Sequence, residues 1–169
     1  MVTNNGKQEK MAKITRVAIY DMDGTIVDSS HRYRTIIDDN GERIDLDYWR
    51  ENEYRAMGDS LLPMAEQYQK DLQDTNCFTI IATARVMHRA DWDFVNTVLG
   101  YPDYFISRAD GDSQSGKTLK INGLQKFFNL EWFKNAPDIV FYEDNVSYLK
   151  AVCDRFGIRG VYIPSKQGH

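Results

Sequence analysis

Cysteine is scarce. Cys77 and Cys153 are the two in 169 residues, too few for a disulfide framework and without metal-ligand spacing. Long apolar runs are missing, and nothing approaches the roughly 20 residues of a membrane-crossing helix. Residues 1–13 have no apolar core of the kind a secretory signal carries. Positive charge has no excess either: 21 Lys+Arg stand against 25 Asp+Glu, a net charge of -4. With no global field to draw in phosphate backbones, any nucleic-acid contact has to be a local basic groove. Internal repeats and low-complexity segments are also lacking. These absences lead to the expectation of a soluble, cytoplasmic protein away from membranes, with reduced core thiols and polar, frayed ends at 1–13 and 165–169. What is present is 42% hydrophobic residues in a length suited to one domain, expected over 14–165.

The apolar residues fall into short compact runs separated by helical spacing. TRVAIYD (15–21), CFTIIAT (77–83), YFIS (104–107), DIVFYED (138–144) and RGVYI (159–163) read as strands. Between them, Leu61, Ala65, Tyr68 and Leu72 keep helical spacing, with Asp59 or Ser60 as the expected cap. So do Ala90, Phe94 and Val98, then Ile121, Leu124 and Phe128, then Leu149, Val152, Cys153 and Phe156, the last set ending at Gly157. Residues 28–58 are polar and broken, and short helices and loops are expected there. Alternating strands and helices imply an α/β fold with a central parallel sheet between helix layers. Ligands of such sheets bind beyond the carboxyl ends of the strands. Three strands finish there on candidate chemistry: Asp21, Thr83, and Glu143 with Asp144.

Two motifs make competing offers. GDSQSGKT, Gly111 to Thr118, matches the P-loop pattern that cradles nucleotide phosphates, with Lys117 as its lysine. Its context is weak, because Arg108, Ala109 and Asp110 separate it from a four-residue strand and 51 residues follow Thr118. A nucleotide-dependent kinase is the reading it would carry. DMDGT, Asp21 to Thr25, sits at the end of a buried run, and Gly24 permits a sharp turn. Two carboxylates this close suit phosphoryl transfer. Asp21 can attack phosphorus, and Asp23 can protonate the leaving oxygen and then activate water. That work requires a raised pKa for Asp23, which neighbouring carboxylates would supply. Thr83 and the N–H of Ala84 can meet phosphate oxygens if a helix starts there. Glu143 and Asp144 can complete a magnesium site with Asp21. A lysine opening the helix after Ser107, either Lys117 or Lys120, can hold the phosphoryl charge.

Taken together, these motifs resemble the haloacid dehalogenase superfamily of phosphotransferases, over roughly residues 14–163. The resemblance implies a Rossmann-like fold with at most a small cap, Asp21 as nucleophile and Asp23 as acid/base. It also implies magnesium held by Asp21, the backbone carbonyl of Asp23, Asp144 and Glu143. A narrower resemblance is to the 3′-phosphatase domain of polynucleotide kinase. It rests on Ala84-Arg85 after Thr83, on GDSQSGKTLK, and on VSYLKAVCDRFGIRGVYI. It implies Lys120 as the third-motif lysine, with Gly24, Thr25, Ala84, Arg85 and Lys117 near the substrate. Gln114 and Lys117 depart from that domain's pattern, and its kinase half is absent.

The expected substrate is therefore a nucleic-acid 3′-phosphate end, the alternative a nucleotide or small metabolite. No feature asks for an obligate protein partner. Residues 28–58 are expected as a mini-cap insertion, with Trp49, Tyr48 and Tyr54 packing under it or, alternatively, stacking on a base. Arg85, His88, Arg89, Arg108 and Lys117 are candidates for a phosphate-tracking groove.

Overall fold

The computed structural model describes residues 14–30, 35–38, 41–44 and 59–165. In chain order its elements are β1 (Arg16–Tyr20), β2 (Val27–Asp28), β3 (Thr35–Asp38), β4 (Gly41–Ile44), β5 (Ser60–Leu61), α1 (Met64–Gln73), β6 (Cys77–Val86), α2 (Arg89–Phe94), β7 (Tyr104–Arg108), α3 (Gly116–Gln125), α4 (Glu131–Lys134), β8 (Asp138–Glu143), α5 (Val146–Phe156) and β9 (Arg159–Tyr162). Five strands form one sheet in the order β7-β6-β1-β8-β9, every pairing parallel. This is the expected α/β architecture.

β1 lies at the centre and explains the packing. Its side chains alternate between faces, as the two-residue period of a strand requires. Val17 and Ile19 join a cluster with Leu124, Phe127, Phe133 and Val152. Ala18 and Tyr20 join the opposite cluster with Ala65, Tyr68, Phe94 and Leu99. Helices thus cover both faces, and β1 reads as a continuous apolar run because neither face meets water. A fully buried side chain such as Ile19 contributes about 1.5–3 kcal/mol. Across the starts of the strands, Arg16 donates to Asp71, Asp138 and the Tyr142 hydroxyl, and the Tyr20 hydroxyl donates to Asp71. Burial and the Asp71 carboxylate both push the Tyr20 pKa upward.

Four local expectations need correcting. Ser60 does not cap α1, because Ser60–Leu61 pairs with Val27–Asp28 and the helix starts after Pro63. Val98 is 43% exposed, not buried with Phe94. After α2 the chain widens into a π-helical turn, Val95–Leu99, with Gly100 N–H bonded to the Val95 carbonyl. That i→i+5 step rotates Val95 and Leu99 inward in place of Val98. No helix starts at Ala84, since β6 continues to Val86 with a register shift between Ala82 and Val86. Finally, 35–38 and 41–44 form an antiparallel hairpin rather than helix or loop. Trp49, Tyr48, Tyr54 and the two tails lie outside the described residues. No helix among the described residues is long and apolar enough to cross a membrane.

Candidate active site

The carboxyl edge of the sheet gathers Asp21 from the end of β1, Thr83 from β6, and Glu143 and Asp144 from the end of β8, all buried. Asp21 is anchored through its backbone N–H to the Tyr142 carbonyl at 2.9 Å. One of its carboxylate oxygens accepts from Lys120 Nζ at 2.7 Å and the other from Thr25 Oγ1 at 3.0 Å. Lys120 also donates to Glu143 Oε1 at 2.7 Å. Burial alone would lower the lysine's pKa, but Asp21 and Glu143 outweigh it and the net shift is upward, so the ammonium stays charged. Of the two lysines left open by the sequence, Lys120 is the one brought to Asp21, while Lys117 is exposed in the first turn of α3.

The second aspartate is held differently. Arg85 grips Asp23 with two donors, Nε to Oδ2 at 3.0 Å and Nη2 to Oδ1, and Ser29 Oγ donates to the same Oδ1 at 2.8 Å. A cation is thus bonded to Asp23, where the sequence led us to expect neighbouring carboxylates. Arg85 also reaches Asp91 through Nη1 at 2.5 Å and lies 3.9 Å from Asp59. Its own pKa is lowered by burial and raised more strongly by Asp23 and Asp91. Ser29, Asp59 and Asp91 carry no motif, and their contribution became visible only in three dimensions.

Asp144 is the outlier. Both its carboxylate oxygens are buried without a hydrogen-bond partner. Burial and the charge of Asp21 push its pKa up to about 8. Glu143, in contrast, is engaged at Oε1 by Lys120 and at Oε2 by the Asp144 N–H. Burial and Asp21 raise its pKa while Lys120 opposes them. Ligand oxygens of Asp21, Glu143 and Asp144 lie within 4.8 Å of one another. An orphaned buried carboxylate in such a set fits a hard divalent cation. Gly24 makes room for it: φ is +82°, and a Cβ there would sit 2.1 Å from Asp144 Oδ2.

The remaining predicted residues separate. The Thr83 hydroxyl oxygen accepts from the Arg85 N–H at 3.2 Å. The Ala84 carbonyl accepts from Arg108 Nε at 2.8 Å. Arg108 Nη1 then donates to the carbonyls of Asp112 and Gln114, so the GDSQSGKT loop wraps a guanidinium with its carbonyls. A phosphate cradle needs N–H groups turned inward, and this arrangement corrects the P-loop alternative. Gly116 has its own reason, since a Cβ there would meet the Tyr148 hydroxyl at 2.4 Å. Of the five candidates for a basic groove, Arg85 and Arg108 are spent inside the protein, whereas His88, Arg89 and Lys117 are exposed. A cavity of about 290 Å³ flanks Gly24 and Thr25, walled mainly by Leu62, Pro63, Met64 and Pro164.

Comparisons with known proteins bear on the fold and the family. The fold is that of a chain in the Pnkp1/Rnl/Hen1 RNA repair complex, with a TM-score of 0.59, 16% identity, and 90% of this chain and 43% of that one covered. A haloacid dehalogenase-like hydrolase from Streptococcus pneumoniae gives a TM-score of 0.57 at 14% identity, covering 93% and 90%. CbbY from Rhodobacter sphaeroides, in complex with phosphate, gives 0.55 at 13%, covering 90% and 87%. The chain therefore has the haloacid dehalogenase-like, Rossmann-type fold. In sequence, the 5′-deoxynucleotidase of Escherichia phage T5 is 35% identical over 85 residues, 48% of this chain and 34% of that protein. The match spans about a third of the relative's length. A family profile described as Bacteriophage T5 5′-deoxynucleotidase matches residues 7–98, which carry Asp21, Asp23, Thr83, Arg85 and Asp91. With more than half of its length matched, the chain belongs to the bacteriophage T5 5′-deoxynucleotidase family.

Proposed function

We propose that this protein is a phosphomonoesterase working through an aspartyl-phosphate on Asp21, with deoxynucleoside 5′-monophosphates as substrates. The observation that carries the reading is the setting of Asp21, a buried carboxylate between the Lys120 ammonium and the unpartnered Asp144. In the first half-reaction a carboxylate oxygen of Asp21 bonds to phosphorus. The bond from phosphorus to the sugar oxygen breaks, and that oxygen takes a proton from Asp23; the Arg85 fork favours the ionised carboxylate, so that proton is one Asp23 gains as the negative charge of the substrate arrives beside it. In the second half, water loses a proton to Asp23 as its oxygen bonds to phosphorus. Asp21 is released together with inorganic phosphate. Lys120 and Thr83 steady the phosphoryl oxygens, and Thr25 orients the nucleophile.

Magnesium is the cation that the donor set suits, held by Asp21, Asp144 and the backbone carbonyl of Asp23. When bound it supplies charge neutralisation at the transferring group. Glu143 stands behind these as the anchor of Lys120 and of the Asp144 backbone.

The mononucleotide is preferred over a polynucleotide 3′ end for two reasons. Family membership points to it, and two of the five candidate groove cations are consumed internally. The flanking cavity offers the leaving nucleoside apolar walls. The test is magnesium-dependent phosphate release from a deoxynucleoside 5′-monophosphate and from an oligonucleotide phosphorylated at its 3′ end, with Asp21→Asn as control. We expect release from the mononucleotide at least tenfold faster, abolished in the variant. Preference for the oligonucleotide would overturn the substrate and keep the chemistry. Full activity in Asp21→Asn would overturn the chemistry.

A further inference from the structure

We propose that Arg85 is the positioning residue of the acid/base step: it fixes Asp23 in the orientation from which that carboxylate gives and takes the proton of the leaving oxygen. This role rests on the aspartyl-phosphate reading above. The sequence placed Arg85 near the substrate, yet its donors are committed elsewhere. Nε and Nη2 form a fork on the two oxygens of Asp23, and Nη1 binds Asp91. The Arg85 side chain is 4% exposed. A fork of this kind constrains the plane of a carboxylate, not merely its distance. Ser29 adds a third donor, so Asp23 is set in both rotation and reach.

The guanidinium is itself anchored. Asp91 binds it through Oδ1 and uses Oδ2 to accept the His88 N–H at 2.9 Å, which ties Asp91 to the start of α2. Asp59, just before β5, stands 3.9 Å from Nη2, the nitrogen that also meets Asp23. The extension of β6 past Thr83, with its register shift, is what carries Arg85 to this place. A chain of contacts thus runs from the α2 terminus through Asp91 and Arg85 to Asp23. Proton transfer requires the donor within hydrogen-bond reach of the departing oxygen, and a shift of about 1 Å is costly.

Leaving-group chemistry separates positioning from a merely structural role. A deoxynucleoside leaves as an alkoxide that must be protonated, whereas the dinitrophenolate of 2,4-dinitrophenyl phosphate departs without a proton. In Arg85→Gln we expect kcat on the mononucleotide to fall about 100-fold, with KM within threefold of wild type. On 2,4-dinitrophenyl phosphate the variant should give a burst of one dinitrophenolate per enzyme at near wild-type rate. Slow turnover should follow, because the water step still needs Asp23 as base. Asp91→Asn leaves Arg85 in the chain and should show the same pattern at about tenfold, so the test survives if Arg85→Gln does not fold. A burst slowed as much as the mononucleotide reaction would overturn the role, and so would a raised KM with unchanged kcat. Wild-type protein inactive on both substrates would instead remove the underlying function, and with it this role.

Discussion

Replacing Asp144 by asparagine should make the cation-free protein more stable at pH 8, although it removes a buried acid from the active site. Both Asp144 oxygens are buried without a donor, and the carboxyl pKa is pushed from 3.8 to about 8. The folded protein therefore holds a proton that the unfolded chain releases above about pH 4. Between these limits the folded state binds more protons, so stability falls as pH rises. At 1.36 kcal/mol per pKa unit the ceiling is about 5–6 kcal/mol; relaxation and water entry leave about 1–3 kcal/mol. Urea unfolding in chelator at pH 5 and pH 8 measures it. Wild type should lose roughly that amount between the two, and Asp144→Asn should lose less by the same amount, since its amide does not titrate. Millimolar magnesium at pH 8 should then stabilise wild type, because a ligand of the folded state adds RT ln(1 + [L]/Kd), and leave the variant unmoved. Equal pH slopes in both proteins would refute the reasoning. So would a wild type equally stable with and without magnesium at pH 8.

Three other perturbations probe separate parts of the molecule. Gly24→Ala forces a Cβ toward Asp144 at positive φ, and we expect a loss of about 1–3 kcal/mol in urea unfolding together with a raised magnesium requirement for turnover; unchanged magnesium activation would sink the cradle argument. Asp71→Ala strips Arg16 and the Tyr20 hydroxyl of a shared acceptor, so stability should fall by about 3 kcal/mol while kcat per folded molecule stays within twofold. Lys117→Ala should leave phosphate release within twofold, because this lysine is exposed and its loop is filled by Arg108; a tenfold loss would restore Lys117 to the site.

Sequence reasoning was strongest where one residue's environment is set by its own neighbours along the chain. The run Val17 to Tyr20 reads as a buried strand, and the structure pairs it on both sides. The ends of the five sheet strands fell within a few residues of their predicted places for the same reason. The sequence was weakest where the environment comes from a distant segment. Asp23 faces Arg85, 62 positions away, and no local pattern announces that pairing. The same holds for Lys120 and Asp21, 99 positions apart, where spacing alone left Lys117 and Lys120 equivalent. Val98 was misplaced because helical spacing assumes 3.6 residues per turn, and a π turn breaks that count. The GDSQSGKT pattern misled differently. Its residues suit a tight turn entering a helix, capped by Ser115, and the same residue types serve a phosphate cradle.

The two buried cations divide the acids of the site, and under the proposed mechanism that division suits the two aspartates of DMDGT to different tasks. Lys120 holds Asp21 and Glu143; Arg85 holds Asp23, Asp91 and Asp59. A nucleophile benefits from a compact ammonium, a point charge that can turn toward the phosphoryl oxygens as the new bond forms. An acid/base benefits from a planar fork that fixes its orientation through both half-reactions. Exchanging the two cation types would give each carboxylate the wrong kind of support. Of six buried carboxylates at the site (Asp21, Asp23, Asp59, Asp91, Glu143 and Asp144), five meet these two cations, and Asp144 is the one whose oxygens have no hydrogen-bond partner. A divalent ion between Asp21 and Asp144 would relieve the remaining repulsion at the place where a phosphate dianion has to enter. On this reading the metal's first contribution is to make the site enterable by an anion, and its second is to the chemistry. The affinity of inorganic phosphate separates the two, since phosphate undergoes no net reaction. It should bind at least tenfold more weakly in chelator than in magnesium, and equal binding in both would confine the metal to the chemical step.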